Sequence, residues 1–83
     1  MKVRLRYFAS IREALGRGDE AIETEAATAG ALRDVLIARG HVYALALTRG
    51  RAVRMALDQV MCGDDAPLRD GCELAFFPPV TGG

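Results

Sequence analysis

The two ends of the chain constrain its fold most. Val3, Leu5 and Tyr7 alternate with Lys2, Arg4 and Arg6, and residues 72–77 (Cys-Glu-Leu-Ala-Phe-Phe) form a second strongly apolar stretch, halted by Pro78-Pro79. Alternation with period two marks a strand with one dry face, so residues 2–8 and 72–77 are read as strands. Between them lies a helical stripe. Thr28 supplies an N-cap, Ala29, Leu32, Val35 and Leu36 recur at helical spacing, and Gly40 stops the run. The expectation is that the first and last strands lie side by side, parallel, in the centre of a sheet, with the helix packed on one face.

The remaining segments fit around this frame. Ser10-Ile11-Arg12-Glu13 has the pattern of a capping box, with Gly16 as the stop, and predicts a short helical turn. Residues 20–25 read as a weak strand at or near an edge. Residues 43–48 (Tyr-Ala-Leu-Ala-Leu-Thr) are too short a run to separate helix from strand. Residues 51–57 and 60–62 read as strands joined by a tight turn at Asp58-Gln59. The sum is an α+β arrangement: a mixed sheet with one main helix on one face. Residues 1–77 make one domain and residues 78–83 a flexible tail.

Composition narrows the function. The 83 residues suffice for one domain, and half are apolar, enough for a core. Acidic and basic residues balance at 11 each, so no basic excess suggests nucleic acid. Lys2, Arg4 and Arg6 read as the wet face of the first strand. No apolar run approaches the roughly 20 residues needed to span a bilayer, and Arg4 and Arg6 interrupt any signal-peptide core. The expected compartment is the cytoplasm, with no membrane partner. Cys62 and Cys72 are not closely spaced, and a lone His41 does not complete a zinc set. Both cysteines are expected to act as small buried hydrophobes, and no metal is expected.

Strand alternation also puts apolar residues on the wrong side. If Val3, Leu5 and Tyr7 face the helix, Phe8 points the other way. If Leu74 and Phe76 face the helix, Phe77 points out with Phe8. Burying each phenylalanine would contribute roughly 1.5–3 kcal/mol, so such a pair suggests a partner surface. The alternative is that residues 43–50 fold over them.

The tail, Pro78-Pro79-Val80-Thr81-Gly82-Gly83, has little means of joining the core. The prolines stiffen its base, and the whole extends to at most about 20 Å. Gly82-Gly83 carry no Cβ and pass where side chains do not. With Gly83 expected as the last residue, what such a segment delivers is a carboxylate. ATP can convert a carboxylate to an acyl-adenylate, from which a sulfur donor displaces AMP to leave a thiocarboxylate. The chain shows no Ser/His/Asp set, metal cluster or phosphate loop, and this chemistry needs none within it. A frayed, inert end is the plain alternative.

The eight residues Phe76-Phe77-Pro78-Pro79-Val80-Thr81-Gly82-Gly83 resemble the C-terminal signature of the small, sulfur-carrier subunits of molybdopterin synthase. Tyr7-Phe8-Ala9-Ser10-Ile11-Arg12-Glu13, Ala31-Leu32-Arg33, Ala44-Leu45-Ala46-Leu47 and Pro67-Leu68-Arg69-Asp70-Gly71 are similar to further family segments, so the likeness spans nearly the whole chain. It implies a ubiquitin-like β-grasp fold. It implies that Gly83 is adenylated by an ATP-dependent enzyme related to ubiquitin-activating enzymes, carrying AMP and then sulfur transiently, with no permanently bound cofactor. It implies entry of the tail into the large catalytic subunit and sulfur transfer to cyclic pyranopterin monophosphate, within a heterotetramer. Phe8, Arg12, Met61 and Phe77 match partner contacts by the same resemblance, and Pro78, Val80, Thr81 and Gly82 belong to the inserted tail.

Arg6, where an apolar residue is expected, Asp58, where asparagine is usual, Met61, where leucine is expected, and both cysteines depart from that pattern. Three other readings remain: a carrier for another sulfur pathway such as thiamine thiazole synthesis, a modifier conjugated to lysines, and a plain interaction domain.

Overall fold

A computed structural model describes residues 1–79. In chain order its elements are β1 (Lys2–Tyr7), α1 (Ala9–Leu15), β2 (Asp19–Glu23), α2 (Ala29–Ile37), α3 (His41–Leu47), β3 (Arg54–Leu57), β4 (Val60–Cys62) and β5 (Glu73–Phe77). The strands form one mixed sheet in the order β2-β1-β5-β3-β4. β1 and β5 run parallel, Leu5 beside Leu74 and Tyr7 beside Phe76. The other pairings are antiparallel. The first and last strands therefore lie together as their alternation requires, and β2 takes an edge.

The core fills the space between one sheet face and the helices. Val3, Leu5 and Tyr7 from β1 and Leu74 and Phe76 from β5 are fully buried there with Leu32, Leu36 and Leu47. The Tyr7 and Phe76 rings stack with centroids 6.1 Å apart. Fully burying a side chain of this size contributes roughly 1.5–3 kcal/mol, so these eight residues dominate the stability of so small a domain.

Three helices, not one, cover this face. The ambiguous run 43–48 belongs to α3, which begins at His41. Gly40 is the N-cap of α3; α2 has already ended at Ile37. Thr28 caps α2 as expected, its Oγ1 accepting from the Ala31 N–H at 3.2 Å. Val35, placed on the apolar stripe, is half exposed, and Arg33 is buried in its stead. Arg33 donates from Nε to the Leu47 carbonyl at 2.8 Å and from Nη2 to the Thr48 carbonyl at 2.9 Å. It thus satisfies the Leu47 carbonyl at the end of α3 and adds a second donor to the Thr48 carbonyl, which also accepts from the Arg51 N–H at 3.0 Å; this is why a charge is tolerated at this depth.

The capping box does not form. α1 starts one residue before Ser10, with Phe8 as an N-cap that has no side-chain bond. The Phe8 N–H is still tied to the sheet through the Phe76 carbonyl, while its own carbonyl already accepts from Ile11 and Arg12. Strand and helix share this residue, which leaves no room for Ser10 to cap. Gly16 does end α1, in the left-handed region at φ 74°. Residues 51–53 precede β3 rather than belonging to it. The Asp58-Gln59 turn is as read: both residues have positive φ, 49° and 70°, the geometry of a two-residue hairpin turn. Asp58 Oδ1 also accepts from the Glu73 N–H at 3.0 Å, fixing the turn to β5.

A polar cluster ties edge strand β2 to the rest. Glu20, on the helix side, accepts from the Tyr7 hydroxyl at 3.0 Å, the Tyr43 hydroxyl at 2.6 Å and Arg39 at 2.8 Å. Burial alone pushes the Glu20 carboxyl up. The bonds from Tyr43, Arg39 and Tyr7 outweigh it and hold the group below its ordinary 4.5. A carboxylate with a depressed folded pKa stabilises the fold above its unfolded pKa, and that contribution disappears as pH falls through the folded value. Acid titration of thermal stability should therefore show a loss below pH 4.5 that is smaller in Glu20→Gln. Parallel acid profiles for the two proteins would show that Glu20 contributes no such linkage.

Candidate functional site

The sheet face turned away from the helices is the surface on which the expected partner contacts converge. Three rows cross it. By continuation of the Tyr7–Phe76 pairing, Phe8 stands beside Phe77, which pairs with Arg54. The next row runs Arg6, Ala75, Ala56, Met61, and the third sets Arg4 beside Glu73. Phe8 is 40% exposed and Met61 55%, and Phe77 is half buried. Ala75 and Ala56 face outward yet are buried, sunk beneath their longer neighbours. They form the floor of a shallow apolar trough with Phe77 and Met61 as its walls.

Local geometry fixes the aromatic end. The chain leaves β1 and turns at Ala9, which sits at φ 51° without being glycine. A left-handed alanine costs about 1–2 kcal/mol; here it starts α1 immediately and leaves Phe8 projecting from the sheet. The Arg6 guanidinium lies over the Phe8 ring, 5.2 Å from its centroid, and holds that ring by a cation–π contact. Arg12 lies alongside: a Cβ on Gly18 would be 3.2 Å from Arg12 Nε, so Arg12 packs along glycine backbone next to Phe8. Helix α3 packs against α1 and α2 on the opposite side of the sheet. It does not cover the phenylalanines, which excludes the alternative in which residues 43–50 fold over them.

Pro78 and Pro79 leave the sheet at this same end. Pro78 lines a small cleft with Ile11 of α1 and Ala46 of α3. Pro79 lines an open depression of about 360 Å³ at the β3–β4 edge, with Arg54, Met55 and Met61 from the sheet and Arg33, Arg49 and Asp64 from the helix side. Pro78 and Pro79 therefore leave β5 directly after Phe77, at the border between the open face and the helix layer. Val80, Thr81, Gly82 and Gly83 lie outside the described residues, as do the expectations attached to them.

The structure brings Phe8, Arg12, Phe77, Met61 and Pro78 to one end of the sheet. Ala75 shares this face with Phe77, as strand alternation requires; Arg54 and Ala56 belong to the same surface and were missed. Residues 51–57 had been read as one continuous strand, and their pairing, which decides the outward face, is not visible in sequence. Lys2 and Arg4 are solvent-exposed and Arg6 is partly so, as expected. Cys72 is buried, and Cys62 partly so; both are free thiols. Burial pushes the Cys62 thiol up, which disfavours the thiolate a nucleophile requires. Among the described residues no group of histidine, cysteine or carboxylate side chains is placed to hold a metal ion, and no helix is long and apolar enough to cross a membrane.

A family model described as the ThiS family matches residues 5–83. The chain belongs to this family. It is 40% identical over 81 residues to the molybdopterin synthase sulfur carrier subunit of Escherichia coli (strain K12), covering 98% of this chain and 99% of that protein. It is 40% identical over 77 residues to the subunit of the same name from Haemophilus influenzae, covering 93% and 94%. Among solved structures it resembles a complex of subunits 1 and 2 of molybdopterin-converting factor from Helicobacter pylori 26695, at a TM-score of 0.71 and 25% identity over the full length of both chains. It also resembles the small archaeal modifier protein 1 from Methanosarcina acetivorans, at a TM-score of 0.76 and 21% identity over 99% of this chain and 96% of that one. The family member described here thus has the ubiquitin-like β-grasp fold.

Facing opposite ways, adjacent phenylalanines should respond differently to truncation. Phe76→Ala should lower the free energy of unfolding by about 3–5 kcal/mol, and Phe77→Ala by about 1 kcal/mol, in urea melts. Equal losses would place Phe77 in the core.

Proposed function

We propose that the chain is the sulfur-carrying subunit of a molybdopterin synthase and that Gly83 is its reactive residue. One observation carries the reading: Phe77, a wall of the trough floored by Ala75 and Ala56, is the residue directly before Pro78-Pro79, where the chain leaves the sheet. A docking face and a reaching segment share one root. The identity with two proteins named as sulfur carrier subunits supports it, and so does the likeness to a chain seen in complex with a second subunit.

In this reading a partner enzyme activates the Gly83 carboxylate with ATP. Its oxygen attacks the α-phosphorus, an acyl-adenylate forms and pyrophosphate leaves. A sulfur donor attacks the acyl carbon and AMP leaves, so the terminus becomes a thiocarboxylate. This chain contributes an unhindered backbone: Gly82 and Gly83 admit the acyl carbon into a narrow site. The tail then enters the large catalytic subunit, with Val80 and Thr81 along the channel and Phe8, Arg12, Met61 and Phe77 against its mouth. There the sulfur attacks a side-chain carbon of cyclic pyranopterin monophosphate, and the carbon–oxygen bond at that carbon breaks, its oxygen leaving on the phosphate or as water. Water cleaves the acyl–sulfur bond, the sulfur stays on the pterin and the carboxylate returns. Two deliveries complete a dithiolene. A heterotetramer with a small subunit at each end of a large-subunit dimer accommodates the two reactions.

Two measurements test this. Intact-mass spectra of protein from sulfur-replete cells should contain a fraction heavier by the difference between one sulfur and one oxygen atom, absent after Gly83 is deleted. A single alanine added after Gly83 should abolish sulfur transfer to the pterin while leaving the melting temperature unchanged. Full activity of the extended protein would eliminate the terminal carboxyl as the reactive group.

A further inference from the structure

The arginines of this chain divide into two groups. Arg6, Arg17, Arg39 and Arg49 pair with carboxylates, and Arg33 and Arg51 donate to backbone carbonyls. Arg4, Arg12, Arg54 and Arg69 have no ion pair or side-chain hydrogen bond among the described residues. Three of these four surround the apolar trough. Arg4 lies on the open face of β1, Arg54 is the cross-strand neighbour of Phe77, and Arg12 packs beside Phe8. Glu73, the cross-strand neighbour of Arg4 on that face, is turned to Arg6 at 3.7 Å. The other acids on that face, Asp19 and Glu23, stand on edge strand β2 beside Arg6 and Lys2, across β1 from the trough, with Glu23 against the N-terminal ammonium at 3.8 Å; Glu20, Asp34 and Asp64 pair with Arg39 and Arg49 on the helix side.

An arginine next to a large apolar patch keeps its charge solvated until a partner arrives. Covering the trough with a neutral surface would strip water from Arg54 between Phe77, Met61 and Pro79 and give nothing back, which is unfavourable. A carboxylate opposite it reverses that sign. We infer that the open face is built for a protein surface with an apolar projection, seated on Ala56 and Ala75, and a rim of carboxylates that meets Arg4 and Arg54. These two arginines then set partner choice and speed of encounter, while the trough supplies contact area. The inference rests on the sulfur-carrier reading, since it takes the large catalytic subunit as the partner, and it adds the chemistry by which that subunit is recognised.

Stopped-flow association of the chain with the large subunit from the same organism tests it. Arg4→Glu combined with Arg54→Glu should slow association about a hundredfold at low salt, with the gap closing as salt rises. Arg4→Gln with Arg54→Gln should fall between this pair and the unaltered chain. Arg69→Glu removes the fourth unpaired arginine, in the loop before β5 and away from the trough, and should change the rate less than about twofold. Melting temperatures of all variants check folding; the glutamine pair removes charge without adding repulsion and serves if the reversal unfolds. Equal rates and equal salt dependence for the unaltered chain and both double variants would overturn the inference and leave the carrier reading standing. Failure of the unaltered chain to bind the large subunit would remove both. Slowing by Arg69→Glu as large as that by the double reversal would reduce the effect to net charge and also overturn it.

Discussion

The parallel pairing of β1 with β5 is the contact from which the rest follows. Its register sets Leu5 beside Leu74 and Tyr7 beside Phe76, and this places the aliphatic and aromatic centre of the core in one layer. A shift of one residue would turn every side chain of a strand to the opposite face. It would send Phe76 into water and Phe77 into the core. The register therefore specifies the interior and the open face together. Because β5 ends at Phe77, it also fixes where Pro78 leaves the sheet.

The two faces use different materials. The inner face relies on large side chains and on polar groups that are fully satisfied: Arg33 closes the end of α3, and Glu20 collects two phenols and a guanidinium. The outer face has small residues at its middle and large or charged ones around them. That is a poor way to build a core and a good way to leave a seat. Arg6, which departs from the family pattern, fits this logic: it holds the Phe8 ring on one side and Glu73 on the other, making a rigid border from what would otherwise be two mobile side chains.

Much of this was legible in the sequence because strand alternation is a strong signal when both faces are marked. In β1 the cations and the apolar residues alternate strictly, and Phe8 breaks the pattern in an informative way. Thr28 and the Asp58-Gln59 turn were equally readable, since each carries its own local chemistry. The failures have physical causes. Ser10 and Glu13 have the spacing of a cap, but the hydrogen bond from Phe8 to Phe76 starts the helix earlier, and sequence does not show that bond. Val35 has the right spacing for the core, yet Arg33 takes the buried position because the carbonyls of Leu47 and Thr48, at the end of α3, accept from it. Residues 43–48 gave no period because the run is shorter than two helical turns. Arg54 went unnoticed because its face depends on which strand it pairs with, a long-range fact.

The position of β5 has a consequence for biosynthesis. The strand that completes the middle of the sheet is the last element of the domain to be made, and its neighbour β1 is the first. Contacts between the two close a loop of nearly the whole chain, so their formation carries the largest entropic cost. A nascent polypeptide that stops before residue 73 has two separated hairpin-like fragments and no centre to join them. On the ribosome, a product that stops short of β5 consequently lacks both the middle of the sheet and the open face that carries Ala75 and Phe77.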